Sequence, residues 1–197
     1  MENGLFEIKI VLIGDTGVGK SSIMLRYVAD NFKEDSDSTI GTSYMGKIVS
    51  VKDSMVKVNI WDTAGQERYH SLAKMYYKDA DAAILVYDIT NSESYYGMLN
   101  WYEEIKENGG QDITIAIAGN KEDCFEHETV SSEEVNEFAD QIAAFYIKTS
   151  AKSNIGIEQL FKCIIEKVYR INHKSLSSRK SFSVTKTNKN KKGSCCT

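Results

Sequence analysis

Apolar residues fall along this chain in short unbroken runs, separated by longer stretches of helical period. Ile8–Ile13 (IKIVLI), Ala82–Tyr87 (AAILVY) and Ile113–Ala118 (ITIAIA) are runs of the kind that form strands covered on both faces. Ala144–Ile147 is a shorter one. Residues 44–52 and 55–61 behave differently. Their polar and apolar positions alternate, most clearly at Val56, Val58 and Ile60, and they are split near Asp53–Ser54. Helical period follows Gly19, with Ile23, Met24 and Tyr27 on one face, and recurs over 68–78, 93–107, 132–144 and 156–171. Ser131, with Glu134 three residues on, has the form of a capping box in front of 132–144.

Strands alternating with helices imply right-handed crossovers. The expected fold is therefore α/β, a mostly parallel six-stranded sheet with helices on both faces. The connection between 44–52 and 55–61 is too short for a crossover, so that pair forms a hairpin and supplies one antiparallel edge strand. In such sheets ligands bind beyond the carboxyl ends of the strands. After Asn172 the apolar period gives way to Ser, Lys, Asn and Thr. This divides the chain into a folded domain over 6–172 and a tail over 173–197, with 174–194 read as a flexible linker.

Charge sharpens the division. The 197 residues carry a net charge of −4. From Ile171 to Thr197 there are seven basic residues and no acid, which leaves −11 on the remainder. The folded part is thus a poor candidate for nucleic-acid binding, while the tail suits an anionic surface. No run reaches the ~18–20 apolar residues that span a bilayer, and Met1–Glu7 lacks the pattern of a signal peptide. The four cysteines, Cys124, Cys163, Cys195 and Cys196, do not form a disulfide framework, which implies a reducing compartment. Proline is absent.

The chemistry sits where the fold predicts. Gly14-Asp15-Thr16-Gly17-Val18-Gly19-Lys20-Ser21, between the first strand and first helix, fits G-x-x-x-x-G-K-[ST]. Its backbone N–H groups and the helix N-terminus converge on an anion, Lys20 adds a point charge, and Ser21 offers a hydroxyl to Mg²⁺. Alone, this loop specifies only a nucleoside triphosphate. Asp62-Thr63-Ala64-Gly65-Gln66 follows another strand. Asp62 can hold Mg²⁺ through water, the Gly65 N–H can meet a γ-phosphate, and the Gln66 amide can orient an attacking water. Asn120-Lys121-Glu122-Asp123 and Thr149-Ser150-Ala151-Lys152 follow two further strands. The Asp123 carboxylate can accept from guanine N1–H and N2–H₂, and adenine would leave it unpaired. A backbone N–H near Ser150–Ala151 can donate to guanine O6.

In their order and placement these segments resemble the small GTPases of the Ras superfamily, with a P-loop NTPase fold, and specifically the Rab family. The likeness runs from about Phe6 to Arg170. It includes Thr39-Ile40-Gly41, Trp61–Leu72 (WDTAGQERYHSL), Tyr76–Thr90 and Ala118–Asp123. DTGVGKSSI, TIGTSYM, RYHSLAKMYY and IAIAGNK are most similar to the endosomal Rab branch.

The resemblance implies roles by position. Thr16, Gly17, Val18, Gly19, Lys20, Ser21 and Ser22 would cradle the phosphates. Phe32 would pack against guanine, with Lys33 and Glu34 near the ribose. Ser21, Thr39 and, through water, Asp62 would hold Mg²⁺. Gly65 would sense the γ-phosphate of GTP, Gln66 would be catalytic, and Asn120, Lys121, Asp123, Ser150, Ala151 and Lys152 would form the base pocket. Tyr44, Trp61 and Tyr76 match the aromatic triad read by Rab effectors. An activating protein, an exchange factor and an escort protein or dissociation inhibitor are the further partners implied. Cys195-Cys196-Thr197 resembles the doubly prenylated Rab ending, and implies attachment to the cytoplasmic face of endosomal or other intracellular membranes, cycling with cytosol.

Three positions depart from the family pattern, among them Cys124, which takes the place of an aliphatic residue after Asp123. Ser38 replaces the usual proline before Thr-Ile-Gly, and Tyr44 replaces a phenylalanine. No arginine lies in the phosphate loop or the loop carrying Thr39, so unaided hydrolysis should be slow. A nucleotide-locked binding module and a P-loop kinase or ATPase are the alternatives. Gln66 argues against the first and Asp123 against the second.

Overall fold

The computed structural model describes residues 5–34, 39, 41–63, 65, 70–110 and 112–182, with the side chains of 70–73 and 174–182 left aside. In chain order the elements are β1 (Phe6–Ile13), α1 (Lys20–Ala29), β2 (Thr42–Val51), β3 (Ser54–Thr63), α2 (His70–Tyr77), β4 (Ala82–Asp88), α3 (Ser92–Asn108), β5 (Thr114–Asn120), α4 (Ser132–Gln141), β6 (Phe145–Lys148) and α5 (Ile157–Phe182). A 3₁₀ turn, Glu122–His127, follows β5 and was not expected from the sequence.

The six strands lie in the order β2-β3-β1-β4-β5-β6. All neighbours are parallel except β2 and β3, which pair antiparallel from Thr42↔Thr63 to Val51↔Ser54. The hairpin turn runs through Lys52, whose φ of 53° is left-handed. Every residue of β4 and of β5 is buried, as an apolar run covered on both faces requires. Alternate residues of β1 supply the two layers of the core. Ile8, Ile10 and Leu12 pack towards α1 and α5, against Ile23, Tyr27, Phe161 and Ile164. Val11 and Ile13 pack the other way, with Tyr87, Met98, Trp101 and Val135. Tyr27 stacks on Phe161 with ring centroids 3.8 Å apart.

Two sequence expectations fail locally. The capping box does not form. Ser131 Oγ donates instead to the Glu133 carboxylate at 2.7 Å, and no side-chain hydrogen bond caps α4. A charged acceptor two residues away outcompetes the backbone of the next position. The last helix also overruns its expected end near 171, continuing through Phe182, so 174–182 is helix rather than linker. The sequence there holds neither glycine nor proline, and nothing in it stops an established helix. Among the described residues no helix is long and apolar enough to cross a membrane.

Candidate functional site

Four loops at the carboxyl edge of the sheet, together with residues of the α1–β2 connection, enclose a cleft of about 310 Å³. The first joins β1 to α1. There the Lys20 ammonium donates to the carbonyls of Gly14 at 2.7 Å and Asp15 at 2.8 Å, curling the loop around its own side chain. Burial holds the Lys20 ammonium down to about 8, while the charges of Asp62 and Asp15 pull it back up. Thr16, Gly17, Gly19, Ser21 and Ser22 line the same wall. The Val18 side chain is buried in the core, and its backbone carbonyl accepts from Asn120 Nδ2 at 2.8 Å. That bond ties the phosphate loop to the end of β5.

The end of β3 brings in Asp62, which is fully buried. Ser21 Oγ donates to Asp62 Oδ2 at 2.5 Å and shares a 2.7 Å hydrogen bond with Thr39 Oγ1. Thr39 and Ser43 reach Oδ2 more loosely, each at 3.4 Å. Asp62 Oδ1 is buried and finds no hydrogen-bond partner among the described residues. Burial pushes the Asp62 carboxyl up, partly opposed by Ser21 and Lys20. A buried carboxylate with one oxygen unpaired and three hydroxyls gathered on the other is a costly arrangement without a cation. It fits Mg²⁺, which takes hard oxygen ligands, keeps several waters and shares its shell with phosphate oxygens. Gly65 lies against the Asp15–Thr16 peptide, where an added Cβ would fall 2.4 Å from the Asp15 carbonyl carbon. Only glycine permits that approach.

The other end of the cleft is built by the segments after β5 and β6. Asp123 Oδ1 accepts from Ser150 Oγ at 2.5 Å, so the carboxylate is fixed before any base arrives. Ser150 is itself buried and does not line the cleft; it positions Asp123. Thr149 Oγ1 donates to Asn120 Oδ1 at 3.3 Å. Lys121 adopts a left-handed φ of 69°, and its ammonium pairs with Asp88 at 2.6 Å. Phe32, Lys33, Glu34, Ala151 and Lys152 complete the lining. Lys152 and Glu34 form an exposed pair at 2.7 Å, the kind that contributes little to stability.

Sixteen of the eighteen residues expected to bind nucleotide therefore line one cleft, Val18 and Ser150 standing just behind it. Gln66, Ser38, Cys195 and Cys196 lie outside the described residues. Sequence reasoning missed Arg26. Its guanidinium donates to the Ala151 carbonyl at 2.8 Å and the Lys152 carbonyl at 3.3 Å, tying α1 to the loop after β6. A lone arginine beside the apolar face of a helix carries no sequence signal for such a bond.

Beside the cleft, Tyr44, Trp61 and Tyr76 form a continuous aromatic row, with ring centroids 5.2 Å and 5.3 Å apart. The Tyr44 hydroxyl is engaged locally, donating to Asn59 Oδ1 at 2.7 Å.

Comparisons with known proteins agree with this geometry. A sequence model of the Ras family matches residues 9–170. The human Ras-related protein Rab-31 is 43% identical over 190 residues, covering 96% of this chain and 97% of that protein. Human Ras-related protein Rab-22A is 43% identical over 192 residues, covering 98% and 99%. Ras-related protein RABF2a of Arabidopsis thaliana is 45% identical over 163 residues, covering 83% and 82%.

Proposed function

We propose, for a chain that belongs to the Ras family and is a GTPase of the Rab type, that it acts as a membrane-bound switch in endosomal trafficking. The cleft would hold GTP or GDP, with the phosphates on Thr16–Ser22 and the guanine between Phe32, Lys121 and Asp123. Ser21, Thr39 and, through water, Asp62 would hold Mg²⁺, which would supply positive charge to offset that of the phosphates. Lys20 holds the β- and γ-phosphates. Gln66 orients the water that attacks the γ-phosphorus, and the bond from that phosphorus to the β–γ bridging oxygen breaks to leave GDP and phosphate. With no arginine in the phosphate loop or in the loop carrying Thr39, an activating protein would supply a further factor on the order of 10³–10⁵. Exchange factor, dissociation inhibitor and effectors are the other partners.

One observation carries the switch. Trp61 and Asp62 are consecutive residues of β3, one in the aromatic row and the other in the cation site. A change of nucleotide that moves Thr39 or Gly65 is felt one residue from the surface an effector would read. The chain has two tryptophans, Trp61 and Trp101. Replacing GDP by a non-hydrolysable GTP analogue should change the intrinsic fluorescence. Trp61→Phe should remove most of that change and Trp101→Phe should keep most of it. Identical spectra in both nucleotide states would contradict the switch.

The tail, residues 173–197, would anchor the protein. Two prenyl chains on Cys195 and Cys196 give stable attachment where one gives marginal binding, and Lys186, Lys189, Lys191 and Lys192 add about 1 kcal/mol each near an anionic leaflet. Changing either cysteine to Ser should leave a reversibly bound protein. Changing both should leave it in the supernatant on sedimentation of membranes from a prenylating cell extract. Sedimentation of the double variant with membranes would defeat the lipid anchor.

A further inference from the structure

Asp15 poses a problem that its neighbours solve. It is the second residue of the phosphate loop, half-buried, and its carbonyl lies 2.8 Å from the Lys20 ammonium. A free carboxylate this close to a polyphosphate would repel it. The carboxylate is instead turned onto α3. Trp101 Nε1–H donates to Asp15 Oδ1 at 3.1 Å. Gly97 lies four residues earlier on the same helix face. A Cβ there would fall 1.9 Å from Asp15 Oδ2, so the carboxylate rests on bare helix backbone. Trp101 is buried with Met98 and Ile105 in the core layer beneath α3, which makes its indole N–H a fixed point.

We infer that Gly97 and Trp101 form a latch that holds the Asp15 carboxylate away from the nucleotide, and that this latch sets how long the nucleotide stays bound. Both are positioning residues, acting through Asp15. The latch rests on the guanine-nucleotide reading of the cleft. It also crosses the molecule, linking the core of α3 to the peptide against which Gly65 lies, so its loss is felt on the γ-phosphate side of the cleft.

The test is release of a fluorescent GDP analogue from the full chain loaded with Mg²⁺, chased by excess GDP. A hydrogen bond to a charged acceptor is at stake, so Trp101→Phe should speed release roughly tenfold. Adding Asp15→Asn to Trp101→Phe removes the charge and should restore slow release, which loss of indole packing would not allow. Raising the salt should narrow the gap between Trp101→Phe and wild type. Gly97→Ala provides an independent route, because alanine favours the helix yet fills the space of the carboxylate. It should speed release in the presence of Asp15 and have no effect when Asp15 is already Ala. Wild-type release from Trp101→Phe, failure of Asp15→Asn to restore it, or an equal effect of Gly97→Ala in both backgrounds would each overturn the latch. A wild-type chain that holds no GDP would overturn the nucleotide reading and the latch with it. A wild-type chain that holds GDP beside unaffected variants would overturn the latch alone.

Discussion

Asp123→Asn is expected to weaken binding of GTP and GDP by roughly 10³-fold and to turn preference towards xanthosine nucleotides. Guanine presents two donors side by side, N1–H and N2–H₂, and the carboxylate accepts both. The amide of Asn offers one acceptor and one donor, which suits the N1–H and O2 of xanthine. The effect is large because the carboxylate is already fixed by Ser150 Oγ at 2.5 Å and cannot turn away from a mismatched partner. Adenine offers no such donor pair, so ATP should compete poorly with wild type. Displacement of fluorescent GDP by GTP, XTP and ATP reads all three preferences. Equal displacement by GTP and ATP would remove the guanine assignment, whatever the phosphate loop binds.

Removing the cation should have an effect of similar size. Chelation of Mg²⁺ is expected to speed GDP release on the order of 10²-fold, since several kcal/mol of charge stabilisation are lost. Ser21→Ala should approach the same fast limit at Mg²⁺ concentrations that saturate the wild type. The expectation follows from the unpaired Asp62 Oδ1 and from the meeting of Ser21, Thr39 and Asp62 oxygens. A stopped-flow chase with and without chelator tests it. Release that is indifferent to both chelator and Ser21→Ala would mean that these three side chains hold no cation.

Much of this was legible in the sequence because the chemistry is written in contiguous stretches. The phosphate loop, Asp62–Gly65, Asn120–Asp123 and Thr149–Lys152 each lie at or just after the end of a strand, and the sheet brings all four ends to one edge. Buried strands announced themselves through unbroken apolar runs, as in β4 and β5. What escaped depends on contacts between distant parts of the chain. Arg26 reaching the Ala151 carbonyl spans 125 residues, and Trp101 reaching Asp15 spans 86. Neither separation leaves a periodicity to read. Ser150 and Val18 were picked out as ligand contacts. The structure shows a further role for each, Ser150 Oγ holding Asp123 and the Val18 carbonyl holding Asn120. The capping box at Ser131 failed because a local motif competes with any charged acceptor in reach, here Glu133. The end of α5 was misread because fading amphipathicity marks the end of a buried face, not the end of a helix.

The central claim is that this cleft binds GTP and hydrolyses it on the timescale of a switch. Single-turnover hydrolysis of GTP by the purified chain, with Mg²⁺ and no activating protein, tests it most directly. The expected result is one phosphate released per bound GTP, at a rate on the order of 10⁻⁴–10⁻³ per second, the scale of unaided Ras-type hydrolysis, and slower still in Gln66→Leu. Turnover of many GTP per second, or a Gln66→Leu variant as fast as the wild type, would contradict the account.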